Sequence, residues 1–215
     1  MSTYHASADI ERLSNSVVSR TLWAIAILWF AADVWLGASG FLSEHRQYIF
    51  VFVLTPMIVF AIALVALPAL QAWAFALDTR ALVFAQAVRV GSAAFIGVYA
   101  AGKLNGAFAL WAGLIDIAVG LSAPFAAQYL TPVRTTSQLR LLIAWIGFGI
   151  LDFIVAIPLA AIVRTSDPVS MFQMTMLPLS MISTFFVPVA VMDYLILVAH
   201  LWRRPIPRSF LQVEP

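Results

Sequence analysis

The chain has 215 residues, of which 63% are hydrophobic and only 10% are charged, and its net charge is +2. Soluble domains carry about 25% charged residues. This composition therefore excludes a soluble globular domain and, with a mean hydropathy of +0.97, indicates a chain whose first partner is the lipid bilayer. The small net charge gives no sign of nucleic-acid binding. The lack of cysteine excludes disulfides, thiolate metal ligands and iron–sulfur clusters.

Six apolar runs are long enough to cross a bilayer, which takes about 20 helical residues. We predict spans at residues 22–42, 48–70, 81–101, 106–130, 141–163 and 176–202. The stretch 71–80 is too short to span, and we expect it to extend the second helix or to lie at the interface. No linker divides the chain, which predicts a single transmembrane domain over residues 1–215. The fold class is thus an all-α integral membrane protein, a bundle of six transmembrane helices.

The basic residues predict how the bundle is oriented. With six spans both termini lie on one side, and that side holds eight basic residues: Arg12, Arg20, Arg80, Arg134, Arg140, Arg203, Arg204 and Arg208. The opposite loops hold three: Arg46, Lys103 and Arg164. Because positive charge concentrates in cytoplasmic loops, we expect both termini in the cytoplasm. The expected location is the cell membrane, as a multi-pass protein of a bacterial inner membrane.

Four aspartates lie inside the apolar runs, namely Asp33, Asp116, Asp152 and Asp193. A charged side chain at the centre of a membrane helix costs about 2.5–3.5 kcal/mol on insertion scales, so such carboxylates are candidates for a functional site. A very small residue follows each of the first three at the fourth position: Gly37, Gly120 and Ala156. These small residues predict close approach of a neighbouring helix beside each carboxylate.

Arg89 is the only cation within the predicted spans, and Gln86 precedes it on the same helical face. Counting residues from the span ends places Arg89 and the four carboxylates in one layer near the bilayer centre. Four ionised carboxylates and one guanidinium cannot coexist cheaply in a low dielectric. We therefore expect Arg89 to pair with one aspartate, and the other carboxyls to take up protons or bind a cation.

The first and fourth predicted spans share a short sequence pattern. Residues 33–39 and 116–122 share the pattern D-x-x-x-G-x-S in the first and fourth spans, which cross the membrane in opposite directions. This arrangement is typical of a 3+3 inverted repeat with a binding site at the midplane. The alternative is chance similarity between helices rich in Ala, Gly, Ile and Leu, since the second and fifth spans share little.

Three functions remain open from the residues. The first is a proton- or cation-coupled transporter, with Asp33, Asp116 and Asp152 as protonatable or cation-binding groups and Arg89 as counter-ion or anion anchor. The second is an accessory subunit of a larger membrane complex, in which the Asp/Arg layer is a structural clamp. The third is a membrane-embedded lipid or isoprenoid enzyme using an aspartate as general acid, which requires a lateral opening lined by Trp and Phe.

The sequence offers no other chemistry. Its three histidines are too few for a histidine-rich di-iron site. It has neither a Walker A nor a G-x-G-x-x-G motif. We therefore expect no cofactor, no metal centre and no catalytic set. The candidate ion, proton or substrate site comprises Asp33, Gln86, Arg89, Asp116, Asp152 and Asp193. Association with another membrane protein or with further copies of the chain is left open.

Overall fold

The computed structural model describes the backbone of residues 2–203 and the side chains of residues 15–203. Every regular element in that range is helical. Six segments are long and apolar enough to cross a membrane: Asn15–Ala38, Arg46–Ala66, Thr79–Ala100, Gly106–Tyr129, Thr136–Ser166 and Leu179–Arg203. The prediction of an all-α, six-span membrane bundle is confirmed. The side chains of Arg12, Arg204 and Arg208, which contribute to the charge asymmetry, lie outside the described residues.

The first two spans end earlier than predicted. Helix α1 (Ser2–Ala38) stops before Gly40, whose φ of 80° lies in the left-handed region, and a short helix α2 (Phe41–Glu44) follows. Helix α3 (Ile49–Ala66) ends where Leu67 becomes extended, as the residue before a proline commonly does. Helix α4 (Pro68–Ala76) then begins at Pro68. The stretch that follows the second span is thus a separate helix and not an extension of α3, because Pro68 favours a helix start.

The third and sixth spans are interrupted. The third consists of α5 (Thr79–Ala85), a 3₁₀ segment (Gln86–Ser92) and α6 (Ala93–Ala100). The sixth consists of α9 (Leu179–Met181), a π-helical turn (Ile182–Phe186) and α10 (Val187–Arg203). The π turn ends just before Pro188. The fourth and fifth spans are the continuous helices α7 (Gly106–Tyr129) and α8 (Thr136–Ser166).

Polar residues divide the apolar core into two clusters. One cluster, toward the termini, includes Val83, Leu142 and Leu197. The other, toward the opposite loops, includes Phe95 and Phe108. Helix α7 lies at the centre, packed against the third span and α8, whereas few residues of α1 are buried. The candidate site therefore lies between two apolar layers and is built mainly by the third to sixth spans.

Candidate functional site

The 3₁₀ segment explains how the third span presents its polar residues. A 3₁₀ helix has three residues per turn, so side chains three apart in sequence lie on one line. Gln86, Arg89 and Ser92 have this spacing, and all three are at most 4% exposed. The segment thus aims an amide, a guanidinium and a hydroxyl at the same side of the helix, toward α7, α8 and α10.

Arg89 joins two carboxylates from neighbouring helices. Its Nε donates to Asp116 Oδ1 at 2.5 Å, and its Nη2 donates to Asp152 Oδ2. Its Nη1 donates to Tyr194 Oη at 3.1 Å, and its guanidinium carbon lies 4.3 Å from the centre of the Phe153 ring. The expectation that Arg89 pairs with one aspartate is wrong, because the planar guanidinium has donors on three nitrogens and can serve two helices.

The two carboxylates differ in how fully they are satisfied. Asp116 uses both oxygens, since Ser92 Oγ donates to its Oδ2 at 2.6 Å. Asp152 uses one toward Arg89. Its carboxyl also lies beside that of Asp116, but its buried Oδ1 has no hydrogen-bond partner among the described residues. An ionised buried oxygen without a donor is costly. A proton or a ligand donor bound at Asp152 Oδ1 would therefore stabilise this cluster more than one bound at any of its other atoms.

Small residues make this contact possible. A Cβ on Gly120 would lie 2.6 Å from the backbone nitrogen of Val90, beside Arg89. A Cβ on Gly149 would overlap with Tyr194 Oη. The close approach predicted beside Asp116 is confirmed at Gly120. Gly149 precedes Asp152 by three residues, so the pattern of small residues four positions after a carboxylate does not include it.

Gln86 serves a different carboxylate from Arg89. Its Nε2 donates to Asp193 Oδ2 at 2.5 Å and to the backbone oxygen of Ala190 at 3.2 Å. Asp193 is adjacent to Tyr194, so the two polar pairs lie side by side on α10. The third span therefore contacts α10 through an amide–carboxyl pair and a guanidinium–phenol pair.

Asp33 belongs to a separate site. Its carboxyl interacts with the side chains of Thr184, in the π turn, and Trp29. Asp33 is 1% exposed, and its Oδ2 has no hydrogen-bond partner in the part of the chain that the structure describes. Arg89 thus joins Asp116 to Asp152, whereas Asp33 faces the last span and does not belong to the Arg89 site.

A narrow cavity reaches the Arg89 cluster from one end of the bundle. It has a volume of about 90 Å³, and Asp116 and Asp152 lie in its wall. Arg46, at the start of the second span, and Arg164, in the last turn of α8, also line it, on the side opposite the termini. Since liquid water occupies about 30 Å³ per molecule, the space corresponds to about three waters. Drug-sized ligand sites are at least about 300 Å³, so this cavity suits water, protons or a small solute.

The mouth of this cavity is cationic. Arg164 Nη1 donates to the backbone oxygen of Arg46 at 2.8 Å. The Arg164 guanidinium lies 5.1 Å from the Phe50 ring, and that of Arg46 lies 5.9 Å from the Phe172 ring. The ion pairs found between residues 15 and 203 involve Arg89 and neither of these arginines. Two guanidinium groups that have no carboxylate partner among the described residues thus mark the mouth as favourable to anions.

A second, apolar crevice opens between α3, α8 and α10. Its volume is about 340 Å³, and its walls include Met57, Ile154 and Val198. Phe153 lies in the walls of both spaces, and so separates the crevice from the carboxylates. The enzyme hypothesis requires a lateral opening lined by Trp and Phe. This crevice supplies Phe153 and Tyr194 but no Trp.

Sequence reasoning missed several polar partners. Ser92 could have been found, because it follows Arg89 at the same spacing as Gln86 precedes it. Tyr194 gave no signal apart from its neighbour Asp193. Ser180 and Thr184, which are fully buried, could not be assigned to Asp33 because the pairing of the first and last spans cannot be read from one sequence.

A comparison with protein families finds one match. The family described as a domain of unknown function (DUF8737) matches residues 47–202. The match covers the second to sixth spans, including Arg89, Asp116, Asp152 and Asp193, and begins after α1. Curated proteins and solved structures give no match.

Proposed function

The chain belongs to the family described as a domain of unknown function (DUF8737), and we propose that it is a proton-coupled membrane carrier. The observation that carries the proposal is the free oxygen of Asp152. This oxygen is buried, has no partner among the described residues and belongs to a residue in the wall of the cavity. The other oxygen of the same carboxyl accepts from Arg89.

The proton site in this account is the pair Asp116 and Asp152 around Arg89. With both carboxyls ionised the cluster carries one net negative charge in a low dielectric, which a proton on Asp152 removes. The proton comes from water in the cavity and bonds to Oδ1. Neutral Asp152 then holds Arg89 less strongly, because the Coulomb attraction between the guanidinium and the carboxylate charge is lost.

The third span supplies the element that moves. Its 3₁₀ segment carries Arg89 at the centre, and short 3₁₀ stretches within a helix often mark a hinge. When Arg89 releases Asp152, it stays bound to Asp116. The second oxygen of Asp116 accepts a hydrogen bond from Ser92. The proposal is that this release loosens α8 from the third span and closes the cavity on one side while opening the other.

The solute in this account is small and anionic. The cavity has room for about three waters, which fits a small solute. Arg46 and Arg164 at the mouth raise the local concentration of anions, and Arg89 is a cation at the inner end. Entry of one monoanion together with one proton keeps the net charge of the cavity unchanged.

The test uses purified protein in liposomes that contain a pH-sensitive dye. Small monocarboxylates and inorganic anions are added outside, and acidification of the lumen is followed. We expect acidification with the wild type and none with Asp152→Asn. Asp78→Asn is the matched control, because Asp78 is exposed and caps α5, a role that Asn fills equally well. Unchanged acidification with Asp152→Asn would contradict the proposal.

A second candidate is an accessory subunit, and the exposure of α1 favours it. Trp23, Leu28 and Trp35 on this helix are 68%, 70% and 64% exposed. The family match begins after α1, so the helix is an addition at the edge of the matched region. A partner docking on α1 predicts a stoichiometric complex in native mass spectrometry of gently extracted protein. A bare chain or homo-oligomer in that experiment favours the carrier.

A further inference from the structure

The site around Asp33 holds two buried oxygens without partners. Asp33 Oδ2 on α1 and Ser180 Oγ on α9 accept or donate no hydrogen bond within the described residues. Asp33 is 1% exposed and Ser180 is 0% exposed. Buried polar atoms are paired in the large majority of cases, so two such oxygens at one helix contact indicate a place for a ligand.

The two oxygens face the same contact. Ser180 Oγ lies 2.8 Å from the position of a Cβ on Gly37, and Gly37 lies one helical turn after Asp33 on the same face. On the other helix Thr184 lies one turn after Ser180, and its side chain interacts with Asp33. Asp33 and Gly37 thus face Thr184 and Ser180 across one antiparallel contact, and the missing side chain of Gly37 lets the serine hydroxyl approach α1 closely.

The Asp116 site shows what kind of partner fits such a carboxylate. The first and fourth spans share the D-x-x-x-G-x-S pattern, and an inverted repeat would pair them in the same way with the sixth and third spans. At Asp116 the facing span supplies a hydroxyl from Ser92 and a cation from Arg89. At Asp33 the facing span supplies a hydroxyl from Thr184, but its next turn carries Ser180 in place of an arginine.

We propose that Asp33, Ser180 and Thr184 bind a dehydrated monovalent cation of the size of Na⁺, which takes the place that the Arg89 guanidinium has beside Asp116. One carboxylate with two hydroxyls is a set of hard oxygen ligands with a single negative charge, whereas Ca²⁺ takes about 6–8 oxygen ligands. π-helical turns such as Ile182–Phe186 occur frequently at functional sites. The proposal concerns binding alone and does not depend on the carrier function.

The test is thermal unfolding of the purified full chain in detergent at about pH 8, in chlorides of Na⁺, Li⁺, K⁺ and choline at equal ionic strength. We expect the unfolding temperature to rise saturably with Na⁺ relative to choline, because a ligand of the native state stabilises it. Ser180→Ala removes a buried hydroxyl without partners, so it should unfold no earlier than the wild type in choline. The Na⁺ concentration that half-saturates this variant should nevertheless be at least about tenfold higher than for the wild type. A tenfold change corresponds to a loss of about 1.4 kcal/mol of binding free energy.

Three further variants make the outcome decisive. Asp33→Asn should lose the Na⁺ response, whereas Ser122→Ala, in the fourth span and bonded to Val119 and Trp145, should keep it. Asp152→Asn should also keep it, so a failure of the carrier account leaves this result unaffected. A wild type that responds equally to Na⁺ and choline, or a Ser180→Ala variant with an undiminished response, overturns the proposal.

Discussion

Replacing Asp152 by asparagine separates a proton site from a structural clamp. The asparagine side chain can keep an oxygen toward Arg89 Nη2, and its amide nitrogen takes the place of Oδ1, which has no protein partner to lose among the described residues. Arg89 retains Asp116 as its counter-ion. We therefore expect Asp152→Asn to change the free energy of unfolding by no more than about 1 kcal/mol, the usual size of one net hydrogen bond.

Arg89→Ala provides the contrast. It leaves two buried carboxylates without their cation, and removal of one member of a buried ion pair costs about 3–5 kcal/mol. A chain of about 150–250 residues loses about 2–4 °C in unfolding temperature per kcal/mol. The expected loss is therefore about 6–20 °C for Arg89→Ala and at most about 4 °C for Asp152→Asn. Tryptophan fluorescence during heating in detergent measures the unfolding temperature of both variants. Equal losses would refute the claim that asparagine can replace Asp152 without loss of stability.

The remaining predictions concern packing and pH. Gly120→Ala should lower stability by about 1–3 kcal/mol, the cost of overpacking, because its Cβ would meet the Val90 backbone nitrogen at 2.6 Å. Gly147→Ala is the matched control: its Cβ would have no atom within 4 Å, so improved helix propensity should leave stability equal or raised. Outside the spans, hydrogen bonds from Ser170 and Asn105 lower the pKa of Asp167 below its usual value. The stabilisation is present above the unfolded pKa of about 3.9 and is lost as pH falls through the folded pKa. The difference in unfolding temperature between wild type and Asp167→Asn should therefore shrink as pH falls below about 4. A difference that does not change with pH would contradict a stabilising role of the ionised Asp167 carboxylate.

The sequence predicts the fold well because hydrophobicity determines it. Six spans follow from apolar length alone, and the observed spans differ from the predicted ones mainly at their ends. The end of α3 differs because Leu67 leaves the helical region before Pro68, a local steric effect. The interruptions of the third and sixth spans are harder to foresee, because no proline lies in the 3₁₀ segment and its residues are compatible with an α-helix.

The site was only half predictable for a related reason. Sequence position gives the depth of a residue in the membrane, and depth alone suggested a single layer of Arg89 and four aspartates. The rotation of each helix about its axis decides which side chains meet, and it cannot be read from one sequence. Rotation places Asp116 and Asp152 at Arg89, Asp193 at Gln86, and Asp33 at Thr184.

The inverted repeat stays a prediction, and the structure adds an observation in its favour. The shared motif of the first and fourth spans packs in both cases on an interrupted helix: Gly120 on the 3₁₀ segment and Gly37 on the start of the last span. The two contacts differ in one respect, since Arg89 serves one of them and Ser180 the other. In such a repeat Asp116 would pair with a fixed cation, the Arg89 guanidinium, and Asp33 with an exchangeable one. The two carboxylates would then have different roles.

Anion-driven acidification of liposomes measures the central claim most directly. The wild type and Asp78→Asn should acidify the lumen when a small monoanion is added outside, and Asp152→Asn should not, while all three elute as folded species of the same size. Equal acidification by Asp152→Asn, or a lack of anion-driven proton flux in a folded wild type with every small anion tried, would contradict the account.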